Sequence, residues 1–231
     1  MSQLAALLQL TDSALPTGAF SHSFGLESYL ESGEVRDEAT LLAWLEGFLA
    51  TQLTYTDAVA VRRAHAAVHA PGCADGLPGV EALDAELTAL LVPAQIRAAS
   101  LKMGRRVLEI AREAFPSAGV EEYSGAVAEG RCAGHYTIAF ALAGGGEGLA
   151  AETLVEAYLY STLTSLTYNA VRAIPLGQLA GQRVLATLRT EVPAAVVRSQ
   201  SADPRHFGAA APALEIHQMR HEHQHARMFM S

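Results

Sequence analysis

The sequence predicts an all-α fold, a single-domain helical bundle, and two observations carry that expectation. Apolar residues recur at helical spacing through most of the chain: Leu41, Leu42, Trp44, Leu45, Phe48, Leu49 and Leu53 form one stripe, and Leu154, Tyr158, Leu159, Leu163 and Leu166 another. The ambiguous stretch, Tyr123 to Leu142, alternates at Tyr136, Ile138, Phe140 and Leu142. The residues between them, Thr137, Ala139 and Ala141, are small enough for a buried helix, and helix is the preferred reading.

The elements follow in order. A short helix over about Phe24–Ser32 has Gly33 where a left-handed C-terminal cap sits, and Asp37 is placed to cap the first turn of the Leu41–Leu53 helix. A third helix, about Thr56–His69, stops at Pro71-Gly72, and Pro71 to Gly79 reads as an exposed loop. Val80–Leu91 is helical in pattern, and Pro93 suits the first turn of a helix that ends before Pro116. Gly144-Gly145-Gly146 breaks the chain, Leu149–Val171 gives the longest helical run, Pro175 interrupts it, and Leu176–Thr190 restarts it. Ser199–Pro212 is turn-rich and Leu214–Arg227 closes the chain as a histidine-bearing helix, so the C-terminal segment of about 199–231 is expected to be mobile until a partner holds it.

At 231 residues the chain has room for one domain with a sizeable core. Only 17% of its residues are charged, below the roughly 25% of ordinary soluble domains. Either part of the surface is apolar and covered by a partner, or tightly packed alanine-rich helices dilute the charge. A formal charge of −8 and a pI near 5.6 argue against nucleic acid or an anionic membrane as partner, because phosphate binding needs clustered cations. The only basic pairs, Arg62-Arg63 and Arg105-Arg106, are short. Met1 to Leu10 lacks a basic n-region, and no segment approaches the roughly 20 apolar residues of a membrane span, so a cytoplasmic location is expected. Cys73 and Cys132 are isolated, which fits a reducing compartment.

Several residue patterns suggest chemistry. His221-Glu222-His223-Gln224-His225 spells H-E-x-x-H, which on a helix puts two imidazoles on one face for zinc with the glutamate as general base. A zinc-dependent hydrolase of that kind needs a third ligand downstream, where only Ala226 to Ser231 follow. His217, His221 and His225 fall at i, i+4 and i+8, a stripe able to hold nickel or zinc across an interface. The plainer reading of that stripe is a solvated face or imidazoles packed by their ring bodies. The Gly144–Gly148 run lacks the Lys-Ser or Lys-Thr of a phosphate-binding loop, and no Ser/His/Asp arrangement stands out. Leu15 to Glu27, with two phenylalanines, two glycines and two cap-capable serines, reads by itself as a turn leading into a helix.

That segment belongs to a set of four blocks: Leu7-Leu8-Gln9-Leu10-Thr11-Asp12-Ser13 running into Leu15-Pro16-Thr17-Gly18-Ala19-Phe20; Ser21-His22-Ser23-Phe24-Gly25-Leu26-Glu27; Ala170 to Gln178; and His221-Glu222 with Arg227-Met228-Phe229-Met230-Ser231. Together, and in this order, they resemble the urease accessory protein F family, with Met228 replacing the usual leucine. Residues 61–133 carry no matching motif.

The resemblance implies an all-helical protein that dimerises, binds accessory protein D or H, and recruits the GTPase accessory protein G onto apo-urease for nickel insertion, with no reaction of its own. No firmly bound cofactor is expected, only transient nickel. The implied partner-binding residues are Arg172, Tyr29, Arg227, Gln178 and His22, with Arg172 the leading candidate for contacting the GTPase. The metal candidates remain His217, His221 and His225. A zinc hydrolase and a nickel-storing protein stand as the competing functions.

Overall fold

The computed structural model describes residues 2–69, 76–209, 211–224 and 227–231. Among these the regular structure is helical: α1 (Gln3–Thr11), α2 (Leu26–Glu31), α3 (Glu38–Phe48), α4 (Val59–His69), α5 (Gly76–Leu90), α6 (Ala94–Ala114), α7 (Ala118–Ala128), α8 (Tyr136–Gly146), α9 (Ala151–Ala173), α10 (Gln178–Gln200) and α11 (Pro212–Arg220). The expected all-α, single-domain bundle is what forms.

α8 lies at its centre, every residue from Thr137 to Gly145 being buried, and packs against α4, α6, α7 and α9. That explains the ambiguous alternation of Tyr136–Leu142. A helix apolar on all sides has no polar face to betray its period.

Local signals account for several boundaries. Asp37 accepts from the Thr40 amide at 2.9 Å while the Thr40 hydroxyl is engaged by the Asp37 backbone, a reciprocal cap that starts α3. Gly33 has φ of 75° after α2, as a left-handed cap requires. Ile174, before Pro175, adopts extended backbone and ends α9.

Four expectations need correction. The Leu41–Leu53 and Thr56–His69 helices are one rod, because the ten residues Leu49–Ala58 are π-helical and join α3 directly to α4. The predicted loop to Gly79 closes earlier, since α5 begins at Gly76 and Pro78 fits its first turn, where no amide donor is needed; Pro71 to Asp75 lie outside the described residues. The glycine triplet does not break the chain but forms the last turn of α8. A Cβ on Gly144 would sit 2.2 Å from Leu154 Cδ2, so the glycine permits α8 and α9 to approach, and the break falls at Gly148, with φ of 76°. α10 runs on to Gln200 through Pro193, which sits on the exposed face and frees only the carbonyl of exposed Arg189, where water can reach it.

Residues 61–133 build a support for α8. The buried Asp84 carboxyl accepts from Tyr123 Oη at 2.5 Å and from the amides of Ala133 at 2.6 Å and Gly134 at 3.0 Å, which pins the turn leading into α8. His135 follows, fully buried, with Nδ1 3.0 Å from Ser100 Oγ and Nε2 2.9 Å from Thr88 Oγ1. Thr88 and Ser100 thus occupy both ring nitrogens of the buried His135 and hold it as part of the packing around α8. Cys132 is buried and its thiol is pushed up to about 11 by burial and the neighbouring Asp84, so it stays protonated; Cys73 lies outside the described residues.

Candidate functional site

The last residues lie as an extended strap across the turn that precedes α2. Met230 N donates to the Ser21 carbonyl at 2.6 Å. The Ser231 oxygen accepts from Ser23 Oγ at 2.6 Å, from the Phe24 amide at 3.0 Å and from the Ser23 amide. The turn is shaped to receive it: Phe24 takes φ of 53° and Gly25 φ of 92°. A Cβ on Gly25 would meet Gln218 Cγ at 2.7 Å, so α11 also presses on this turn.

Glu27, 9% exposed in the first turn of α2, is the hub. Its Oε1 accepts from the Met228 amide at 2.5 Å, and its Oε2 from the Phe229 amide at 3.1 Å and from His221 Nε2 at 2.7 Å. One carboxyl thus satisfies three donors that arrive from near the other end of the chain. Sequence reasoning did not single out Glu27. Its signal was a carboxylate placed among the apolar residues of the Ser21–Glu27 block, where a solvated acid has no reason to sit.

His22 is 3% exposed and its Nδ1 lies 2.8 Å from Ser231 Oγ. Burial, with the Lys102 ammonium nearby, holds the imidazole down to about 4, so the ring is neutral at neutral pH. Asn169 Nδ2 donates to the His22 carbonyl at 2.9 Å. Arg172, one helical turn on, donates through Nη2 to the Phe20 carbonyl at 3.1 Å and to Asn169 Oδ1, and its guanidinium lies 5.4 Å from the centre of the Phe229 ring. Arg172 is nevertheless an exposed residue, so it braces the strap while presenting charge to solvent.

Tyr29 stacks on His217, ring centres 3.8 Å apart, and meets Trp44 edge-on at 5.8 Å. Burial, and then Glu34, raises its hydroxyl above the usual tyrosine value. The link from α2 toward the C-terminal region therefore runs from Tyr29 through His217 of α11. Arg227 is exposed at the base of the strap, and Gln178 is exposed at the start of α10, beyond Pro175. The structure thus brings His22, Arg172 and the strap together, with Tyr29 beside them and Gln178 further out.

The candidate metal residues are placed as follows. α11 stops at Arg220, and His221–His223 form a 3₁₀ turn instead of continuing the helix to Arg227. His221 is fully buried with Nε2 on Glu27 and Nδ1 2.7 Å from Gln95 Oε1, so both ring nitrogens are engaged. Glu222 and His223 are exposed, His217 Nε2 stands 3.6 Å from Glu34 Oε1, and His225 lies outside the described residues. The described part of the motif, His221–His223, is thus a 3₁₀ turn and not the α-helical turn on which a H-E-x-x-H zinc site is built. Among the described residues no group of three His, Cys, Asp or Glu is placed to hold a metal ion, and no helix is long and apolar enough to cross a membrane.

Described residues of the segment 199–231, for which mobility is expected, contact the bundle at several points. Phe207 is buried under the Arg63 guanidinium, 4.6 Å from its ring centre, and Gly208 N donates to the Tyr55 carbonyl at 3.2 Å. Gln218 Nε2 bridges the Phe24 carbonyl at 3.1 Å and Gln52 Oε1 at 2.9 Å, tying α11 to the π-helical segment.

Comparison with known proteins identifies the family. The UreF family model matches residues 35–189. The urease accessory protein UreF of Arthrobacter sp. (strain FB24) is 52% identical over 226 residues, covering 98% of this chain and 96% of the relative. UreF of Kocuria rhizophila is 43% identical over 236 residues, covering 100% and 98%, and UreF of Corynebacterium efficiens is 43% identical over 231 residues with the same coverage. With a family model spanning most of its length and relatives of this identity over nearly all of it, the chain belongs to the urease accessory protein UreF family.

Proposed function

We propose that this chain is a scaffold for nickel insertion into urease, docking accessory protein D or H and the GTPase accessory protein G onto apo-urease and carrying no reaction of its own. The observation that supports this most directly is the strap. A buried carboxyl, Glu27, holds the C-terminal segment against α2 and α9, so that the exposed Arg172 lies over the buried Phe229 ring, whose chain neighbours Met228 and Met230 are exposed. Met228 and Met230 are 62% and 49% exposed, and flexible thioethers beside a guanidinium suit protein contact better than small-molecule chemistry.

In this reading the scaffold works as a homodimer in the cytoplasm. Nickel meets the complex only in transit, and Arg172, Tyr29, Arg227, Gln178 and His22 contact or shape the partner surface. The test is co-expression of the full chain with accessory proteins D or H and G and with apo-urease. Tagged wild-type chain is expected to retain the accessory proteins and to raise urease activity in nickel-supplied cells. Wild-type chain that captures none of them, or that leaves activation unchanged when deleted, overturns the reading.

A further inference from the structure

A second surface adjoins the strap. Lys102, Arg105 and Arg106 fall at i, i+3 and i+4 on the exposed face of α6 and line a groove of about 650 Å³, whose opposite wall is the loop Pro16–Gly18 and whose floor includes Ala98 and Leu101. Three cations face the groove against one carboxylate, Glu109, which takes the Arg106 guanidinium at 2.6 Å. In a chain of net charge −8, that is a local reversal of sign.

The cations are set rather than scattered. Arg106 Nε donates to the Pro16 carbonyl at 3.2 Å, bridging the two walls, and Arg105 Nε donates to the Ala133 carbonyl at 3.3 Å. Lys102 Nζ lies 3.8 Å from Met230 Sδ, so one cation of the groove also touches the strap. Gly18 gives the wall a left-handed turn, φ 84°, with open space where a Cβ would project.

We propose that this groove docks an extended, carboxylate-rich segment of a partner protein. The charge is complementary to such a segment, and the apolar floor takes alternate side chains that a free inorganic anion lacks. Three cations are too few, and no aromatic face accompanies them in the lining, for a nucleic-acid track. The inference rests on the docking reading above and adds to it a second contact area and the chemistry of what enters it.

The probe is a labelled peptide alternating glutamate and leucine, titrated into the full chain by fluorescence anisotropy. Saturable binding that weakens steadily with added sodium chloride is expected. The variant Lys102→Glu/Arg105→Glu/Arg106→Glu, all three being exposed, should bind at least about ten-fold more weakly with an unchanged circular dichroism spectrum. If that variant does not fold, Lys102→Gln/Arg105→Gln serves, with a smaller loss in the same direction. Equal binding by wild type and folded variants overturns the proposal, as does inorganic phosphate that binds alone and displaces the peptide at equal concentration, which marks a small-anion site. Capture of the accessory proteins is a separate readout, so the groove can fail while the docking reading stands.

Discussion

Glu27 and His221 share a hydrogen bond of 2.7 Å across 194 positions of sequence, and both are buried where they meet. The pair fastens α2 to the end of α11, while the remaining capacity of the Glu27 carboxyl fastens the strap. Removing the carboxyl in Glu27→Ala leaves His221 Nε2 and the Phe229 amide buried without that acceptor and frees the part-buried Met228 amide, at a cost of about 2–3 kcal/mol. His221→Ala should cost less, because Glu27 retains its two backbone donors. The double variant should lose less than the sum of the two, since the residues act on one network. Urea midpoints measure the energies, and limited proteolysis near Arg227 reports release of the strap. Additive losses would show that the two side chains act independently.

The sequence made the bundle legible where local rules suffice and hid it where contacts are distant. Asp37, Gly33 and Pro175 act through their own backbone neighbourhood, so the ends they mark were readable. The Leu49–Ala58 π segment left no trace, because it widens the helix without Gly or Pro and keeps apolar residues locally in phase. The Gly144–Gly146 triplet misled because its cause is Leu154 on another helix, not a turn. Of the site, the Ser21–Glu27 and Arg227–Ser231 blocks were visible as motifs. That they touch was not, because the partners of Glu27 lie about 200 positions away and no period in the chain encodes such a pairing.

Two glycines give a graded test of the core. A Cβ at Gly104 of α6 would lie 2.1 Å from the Gly134 carbonyl oxygen and 2.6 Å from Tyr136 N, which are backbone atoms fixed by the Asp84 network. At Gly144 the atom met first is Leu154 Cδ2, the far end of a side chain that can rotate. Gly104→Ala should therefore cost about 3 kcal/mol or more and Gly144→Ala about 1–2 kcal/mol, the range of overpacking. Thermal melts of the two variants decide it, and a larger loss at Gly144 would contradict the packing described.

Stability should respond to pH through two opposed groups. Although Asp57 as a residue keeps some exposure, its carboxyl is enclosed: Oδ1 accepts from Tyr158 Oη at 2.8 Å, Oδ2 is buried, and burial raises the group to about 7. Between the unfolded value of about 4 and 7 the folded chain binds the extra proton, so this group's contribution falls as pH rises. His22 is held down to about 4, so between 4 and its unfolded value of about 6.5 the unfolded chain binds the extra proton, and its contribution rises with pH. The two slopes oppose each other over about pH 4.5 to 6.5, and His135, whose imidazole is also held down by burial, adds to the rising one. Relative to the wild type, Asp57→Asn should make the profile rise more steeply with pH and His22→Gln should make it rise less, each difference approaching about 1.4 kcal/mol per pH unit at most. Parallel profiles for wild type and both variants would contradict the assignment.

Arg172 separates stability from docking. Its side chain is exposed and its contacts are two carbonyl-type oxygens and one ring face, each replaceable in part by water. Arg172→Ala should therefore lose no more than about 1 kcal/mol, the scale of surface polar contacts. Its effect on capture of the GTPase accessory protein should be far larger, because a guanidinium held over Phe229 offers two in-plane donors to an acidic partner, which no water replaces. Arg172→Lys keeps the charge but not the fork, and should recover only part of the binding. Unchanged capture by Arg172→Ala, or a loss of binding matched by an equal loss of fold, would remove Arg172 from the docking surface and leave the exposed methionines of the strap as its centre.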